Sequence, residues 1–205
     1  MENSPLVEKD FEGSQSQKPI RYRWFLLGLL IVPLVAVWIM TQFFPIEQSQ
    51  WCDDTQDYLE LVAPFLVAAA LIVYAGRSAI TKNPLAMLMT GLSLAFLFRE
   101  IHWDWTNKGV YIMVAMLGVI GGIFHKKMLA VLRDHRQLFW LVAVITGYAI
   151  ATILDRRALK SLSTDSFRQW DKIYHSLMEE LSETVAHIVL LISAIAGSWK
   201  RKLKS

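Results

Sequence analysis

The chain has 205 residues, of which 54% are hydrophobic, and its formal net charge is +3. This apolar content exceeds what a soluble domain of this size needs for its core, so the composition favours a membrane protein. Cys52 is the only cysteine, which excludes an intramolecular disulfide and a thiolate metal cluster. The positive charge is explained by the membrane orientation described below, and we expect no nucleic-acid partner.

Six apolar stretches have the length and composition of transmembrane helices, which predicts an all-α, polytopic membrane bundle. Residues 1–20 are polar and predict a disordered cytoplasmic tail, and residues 21–205 form the membrane domain. The six spans are predicted at about 24–44, 58–76, 84–103, 110–124, 138–154 and 179–199. Pro33 is expected to kink the first span, a feature that membrane helices tolerate.

The distribution of charge predicts that both termini are cytoplasmic. In this orientation the inner segments hold fourteen of the 21 Lys and Arg residues but only five of the 18 Asp and Glu residues. That asymmetry follows the positive-inside rule. The loop before the sixth span departs from it, because it places several basic residues outside.

The same loop contains aromatic and apolar residues at helical spacing, among them Phe167, Trp170, Tyr174 and Leu177. Steps of three and four residues are typical of one face of a helix. Two interpretations remain open. Residues 164–178 form an interfacial helix on the outer leaflet, or they are the extramembrane extension of the sixth helix.

The sixth span opens with a stripe of ionisable residues. Glu179, Glu183 and His187 recur every four residues and therefore share one helical face, with Glu180 close to it. The stripe runs into the apolar stretch 188–197. Ionisable groups inside a membrane are costly and rarely face lipid, so we expect partners from other helices.

The predicted topology brings further polar residues to the same, outer side. The end of the third span contributes Arg99, Glu100, His102 and Asp104. The end of the fifth span contributes Asp155 and Arg156. Acids outnumber the two arginines that can neutralise them, and this excess favours a bound cation. We therefore predict a polar site formed by the third, fifth and sixth helices.

Three interpretations of this site remain open. In the first, Arg99 and Arg156 pair with the acids and pin the helices of a non-enzymatic scaffold together. In the second, the site binds a divalent metal such as zinc, manganese or iron and hydrolyses a lipid or lipid-linked headgroup. In the third, Glu183 and His187 relay protons or cations, although few polar residues continue such a path toward the cytoplasm.

The metal interpretation assigns a role to each residue. The predicted metal ligands are Glu100, Asp155, Glu183 and His187. The predicted general base is Glu179 or Glu180. The predicted substrate clamp or ion-pair residues are Arg99, Asp104 and Arg156. The sequence contains no Gly-x-Ser-x-Gly elbow, His-x-x-x-His pair or Walker motif, so no common hydrolase motif supports these roles.

Three segments carry a resemblance: Arg99-Glu100-x-His102-x-Asp104, Leu154-Asp155-Arg156 and Glu179-Glu180-x-x-Glu183. In this order they resemble segments of a group of uncharacterised bacterial multi-span inner-membrane proteins. The resemblance covers the last half of the chain and implies a location in the bacterial inner membrane, with the lipid bilayer as partner. It also implies that the arginines and acids of these segments act as one set. It brings no activity with it, and it does not indicate an oligomeric state.

Overall fold

The structure is a computed structural model that describes residues 24–43, 50–101, 106–155 and 165–197. All regular structure in these ranges is helical, which confirms the predicted all-α class. A 3-10 helix, Trp24–Leu30, precedes seven α-helices: α1 (Val32–Phe43), α2 (Gln50–Thr81), α3 (Pro84–Glu100), α4 (Thr106–Ile123), α5 (His125–Leu132), α6 (His135–Asp155) and α7 (Asp165–Ala196). The predicted tail, residues 1–20, lies outside the described residues.

Local sequence signals account for the tight connection between α2 and α3. Lys82 ends α2 with a positive φ of 50°, the left-handed conformation that commonly terminates helices. The Asn83 side chain then accepts a hydrogen bond of 2.9 Å from the backbone N–H of Leu85 and caps α3. Pro84 is the first residue of α3, where a missing N–H costs nothing. The helix α3 thus begins at residue 84, the position predicted for the start of the third span.

Two apolar stretches are not single straight helices. The first is interrupted at Ile31, between the 3-10 helix and α1, and Pro33 becomes the second residue of α1. Proline is tolerated there because it lies within the first helical turn. The second stretch extends beyond the predicted fourth span, 110–124: α4 covers nearly all of this span, and α5 follows it at an angle of 83°. By length and composition the bent pair is a candidate for one broken span or a re-entrant loop.

Two described helices are long and apolar enough to cross a membrane, and the bent pair α4–α5 raises this number to three. The two are Cys52–Thr81 within α2, and α6. The prediction of six spans is not confirmed. On their outer faces, large apolar side chains are exposed, for example Phe65 at 69%, Ile72 at 71% and Ile145 at 57%. Exposed apolar surface of this kind fits contact with lipid, so the structure indicates a membrane protein.

The core of the bundle consists of α2, α3, α6 and α7, with α7 packed against α2 and α6 and with α3 packed against α2. Near the end of α2, the Arg77 guanidinium donates hydrogen bonds to the carbonyl oxygens of Ile195 and Gly197. The carboxyl ends of α2 and α7 therefore lie together, and these two helices run in the same direction.

The other two core helices run the opposite way. Leu85, near the start of α3, packs in one cluster with Ala194 near the end of α7. Glu100, the last residue of α3, lies beside His187 in the middle of α7. Between α6 and α7, Asp155 at the end of α6 interacts with Glu179. The alternating directions expected of consecutive spans are thus present in these four helices.

Asp165–Ala196 is one continuous helix. It corresponds to the second interpretation of the stretch before the sixth span, the extension of the sixth helix. Tyr174 and Leu177, from the apolar face of that stretch, are 5% and 4% exposed. They are buried in the protein rather than turned toward a lipid surface, so a separate helix lying on the leaflet is not observed over residues 165–178.

The half of the bundle away from Glu100 holds more buried polar groups than we expected from the sequence. The hydroxyl groups of Tyr74 and Ser193 lie 2.6 Å apart and join α2 to α7. Ser93 donates to the Met89 carbonyl oxygen within α3, and Gln137 is buried in α6. Single small polar residues in an apolar stretch are easily overlooked, because hydropathy averages over the whole stretch.

Candidate metal centre

The candidate site begins with a close approach between α6 and α7. A Cβ atom added at Gly147 would lie 3.4 Å from the Cα and Cβ atoms of Ala186. Small residues allow helix backbones to come this near each other in membrane proteins. The next residue on each helix is Tyr148 and His187, respectively, and the close approach places these two side chains against each other.

Two helices fix the orientation of the His187 ring, which is completely buried. Its Nδ1 atom lies 2.8 Å from the hydroxyl oxygen of Tyr148, at hydrogen-bonding distance. The ring of Tyr148 stacks in turn on Phe96 of α3, with the ring centroids 3.8 Å apart. The imidazole is therefore held by α6 directly and by α3 through the aromatic stack.

His187 forms a ligand group with Glu100 and Glu183, because one ligand atom of each residue lies within 4.8 Å of the others. The His187 Nε2 atom is 3.3 Å from Oε1 of Glu100. That nitrogen nevertheless makes no hydrogen bond to any of the described residues. Both carboxylate side chains are 8% exposed. The ligand group is thus buried, with an imidazole nitrogen next to a carboxylate.

The separation between His187 and Glu100 is compatible with a divalent metal bound between them. Metal–ligand distances of about 2.0–2.2 Å place two donor atoms of a tetrahedral ion roughly 3.4 Å apart. The separation of 3.3 Å between His187 and Glu100 is close to this value. A hydrogen bond would also require the ring N–H to point at the carboxylate oxygen, and this alignment is missing. Two carboxylates and one imidazole are donors that zinc, manganese and iron accept.

Arg99 forms an ion pair with Glu183 across α3 and α7. Its side chain is 33% exposed, against 8% for Glu183, so Arg99 is the more accessible partner of the pair. The charges of Glu100 and Asp155 also act on Arg99. The predicted ion-pair role of Arg99 is therefore present in the structure, and it neutralises one of the two carboxylates of the ligand group.

Four further described acids lie beside the ligand group. Glu179 interacts with Asp155, and its Oε2 atom lies 3.6 Å from the Nε2 atom of His175. Glu180 is partly buried and lies within the electrostatic reach of Glu60. We call Glu60, Asp155, Glu179 and Glu180 the acidic rim. Asp155, which the sequence predicts as a metal ligand, belongs to this rim and not to the ligand group, and it is exposed.

Sequence reasoning missed Tyr148 and Phe96. Tyr148 precedes Asp155 by seven residues, two helical turns, so both lie on one face of α6. Phe96 precedes Glu100 by four residues and shares its face of α3. A search for aromatic residues one or two turns from the predicted acids would have found both.

Asp104 and Arg156, two of the three residues predicted as a clamp or ion pairs, lie outside the described residues, as does His102. Their roles stay predictions. No protein-family model matches the chain, and neither a curated protein nor a solved structure shows significant similarity to it. The candidate site is accordingly argued from the geometry of the described residues alone.

Proposed function

We propose that this integral membrane protein binds one divalent cation between Glu100, Glu183 and His187. The observation that carries the proposal is the Nε2 atom of His187, which is buried without a hydrogen bond to the described residues, 3.3 Å from a carboxylate oxygen. Leaving a buried polar atom unpaired costs about 1–3 kcal/mol, so such atoms normally have a partner. A cation satisfies the nitrogen, and the two carboxylates balance its charge.

Tyr148 supports this assignment because it occupies the other ring nitrogen. Metal-binding histidines usually donate a hydrogen bond from the nitrogen that does not bind the metal, which fixes the tautomer and the ring orientation. Here the Nδ1 atom of His187 lies 2.8 Å from the hydroxyl oxygen of Tyr148, and we assign the ring proton to Nδ1, so that it donates to this oxygen. The Nε2 lone pair is then free to bind the cation.

We further propose that the bound ion activates water for hydrolysis of a lipid or lipid-linked headgroup at the bacterial inner membrane. Three protein ligands leave one position open on a four-coordinate ion, and a metal-bound water there is acidic enough to serve as a nucleophile near neutral pH. Glu179 and Glu180 precede Glu183 by about one turn on the more exposed side, where a general base would meet that water. The proposed topology keeps six spans, with both termini in the cytoplasm.

A non-enzymatic scaffold is the second candidate, and the ion pair between Arg99 and Glu183 favours it. A pair that joins two helices in a low-dielectric environment fixes which helices pack together. On this account the acids of α7 act only through their arginine partner. Replacing Glu183 would then lower stability without changing the metal content of the protein.

Metal analysis of the detergent-purified protein tests the two candidates, with thermal unfolding recorded in parallel. The wild type is compared with Glu183→Gln and with Glu60→Gln, which removes an exposed acid outside the ligand group. We expect near-stoichiometric zinc, manganese or iron in the wild type and in Glu60→Gln, and its loss in Glu183→Gln. A wild type that takes up no metal even when supplied with each ion, together with an unstable Glu183→Gln variant, would instead establish the scaffold.

A further inference from the structure

We infer that Arg99 is an internal counter-ion of the ligand group, which a divalent cation displaces from Glu183 and which Asp155 then accepts. The inference rests on the proposed metal site and concerns what sets its affinity. Arg99 forms its ion pair with Glu183, a residue of the ligand group, and not with an acid of the acidic rim. The guanidinium, which contacts Oε1 of Glu183, and a metal ion therefore compete for the charge of the same carboxylate.

The competition follows from charge as well as from geometry. An arginine side chain remains protonated in proteins, so it cannot relieve the repulsion by losing a proton. A divalent ion bound to Glu183 would lie within a few ångströms of a full positive charge. At such distances the repulsion is worth several kcal/mol even with effective screening, so the guanidinium has to move as the ion binds.

The structure provides a place for the displaced guanidinium. Asp155 is exposed at the end of α6, and its charge already acts on Arg99. Arg99 is itself 33% exposed on a long, flexible side chain. We expect the exchange of partner from Glu183 to Asp155 to take place by a change of the Arg99 side-chain rotamer. This assigns Asp155 a role that differs from the ligand role predicted from the sequence.

Manganese binding to the full-length protein in detergent, followed by electron paramagnetic resonance, tests the role of Arg99. In Arg99→Gln we expect Mn²⁺ to bind at least about tenfold more tightly, because the competing charge is gone. Without metal this variant should unfold at a lower temperature than the wild type, since Glu183 loses its partner, and added Mn²⁺ should restore more stability. Arg99→Lys, which keeps the charge, should bind Mn²⁺ much as the wild type does.

Arg77→Gln is the matched control, because Arg77 also joins two helices but lies at the opposite end of the bundle. We expect it to lower the unfolding temperature equally with and without Mn²⁺, and to leave the affinity unchanged. This pattern is expected of a variant that only weakens helix packing. A variant that removes the counter-ion should instead change the Mn²⁺ affinity.

Asp155→Asn provides a second test that does not depend on whether Arg99→Gln folds, because Asp155 is exposed. It should weaken Mn²⁺ binding several-fold more than Glu60→Gln, which removes the same charge from the rim. Combined with Arg99→Gln, the Asp155→Asn change should lose most of its effect, since there is no guanidinium left to accept.

The outcomes separate this inference from the proposed function. A wild type and an Arg99→Gln variant that both fail to bind Mn²⁺, Zn²⁺ and Fe²⁺ would overturn the metal site itself. Binding to the wild type that Arg99→Gln does not strengthen would overturn the counter-ion while leaving the metal site in place. An Asp155→Asn effect that is no larger than that of Glu60→Gln, or that persists in full beside Arg99→Gln, would also overturn it.

Discussion

The hydroxyl oxygen of Tyr148 lies 2.8 Å from the Nδ1 atom of His187, and this contact leaves Nε2 as the imidazole nitrogen that faces Glu100. The tyrosine comes from α6 and the histidine from α7, so the orientation of the histidine in the ligand group depends on how these two helices pack together. Four consequences of the account can be tested by substitution.

Tyr148→Phe should reduce metal affinity by about 10–100-fold, the usual effect of losing the partner of a metal-binding histidine. Its fold should persist, since one lost hydrogen bond costs about 1 kcal/mol. Titration with Zn²⁺ or Mn²⁺ measures the affinity. Tyr74→Phe is the matched control, because it removes a buried hydroxyl that binds Ser193 instead. Equal affinities in the two variants would contradict the role given to Tyr148.

Gly147→Val should weaken both the fold and the site. A Cβ at this position would already be in van der Waals contact with Ala186 of α7 at 3.4 Å, so we expect the additional methyl groups of valine to push α6, and Tyr148 with it, away from α7. Overpacking of this kind costs about 1–3 kcal/mol. Thermal unfolding and metal titration record the two effects. Gly76→Val is the control, since no atom lies within 4 Å of a Cβ added there. Unchanged metal affinity in Gly147→Val would show that this contact does not position the ligand group.

Arg77→Gln should lower the free energy of unfolding by about 1.5–3 kcal/mol, the range for hydrogen bonds that involve a charged group. The guanidinium satisfies carbonyl oxygens at the end of α7 that have no partner within the helix. Urea or thermal unfolding measures the loss, and Arg77→Lys should recover only part of it. No loss of stability in Arg77→Gln would mean that solvent or headgroups satisfy these carbonyls equally well.

Phe65→Lys should impair membrane insertion, because Phe65 is 69% exposed on the outer face of α2 within its candidate span. A lysine at the centre of a span costs about 2.5–3.5 kcal/mol for insertion. The fraction of protein that resists carbonate extraction from membranes measures the effect. Asp57→Lys, an exposed position nearer the start of α2, should insert normally. Insertion of Phe65→Lys at the wild-type level would contradict lipid contact at this face.

Helical spacing was enough to predict part of the site. Glu183 and His187 are four residues apart and do meet Glu100, because residues on one face of a helix keep their relation whatever the helix packs against. The start of α3 at Pro84 was also predicted. The cap at Asn83 was not, although capping depends on neighbours in the sequence.

The packing of one helix against another could not be predicted from helical spacing. Asp155 was placed at the correct end of the bundle, but the register of α6 against α7 brings Tyr148, two turns earlier, to His187. That register depends on the close approach at Gly147, a tertiary contact. The helix α5, which follows the predicted fourth span after a sharp bend, was not predicted either. No proline marks the bend, although Gly121 and Gly122 precede it and the His125 ring lies 2.8 Å from the Gly122 carbonyl oxygen.

Zinc X-ray absorption spectroscopy of the loaded protein in detergent tests the central claim most directly, namely that one cation binds Glu100, Glu183 and His187. The account predicts one imidazole nitrogen and oxygen donors at about 2.0–2.2 Å, with the imidazole signal lost in His187→Ala. It also predicts fewer oxygen donors, or no bound zinc, in Glu183→Gln. A zinc spectrum that is identical in the wild type and His187→Ala would contradict the account, because the ion would then lie elsewhere.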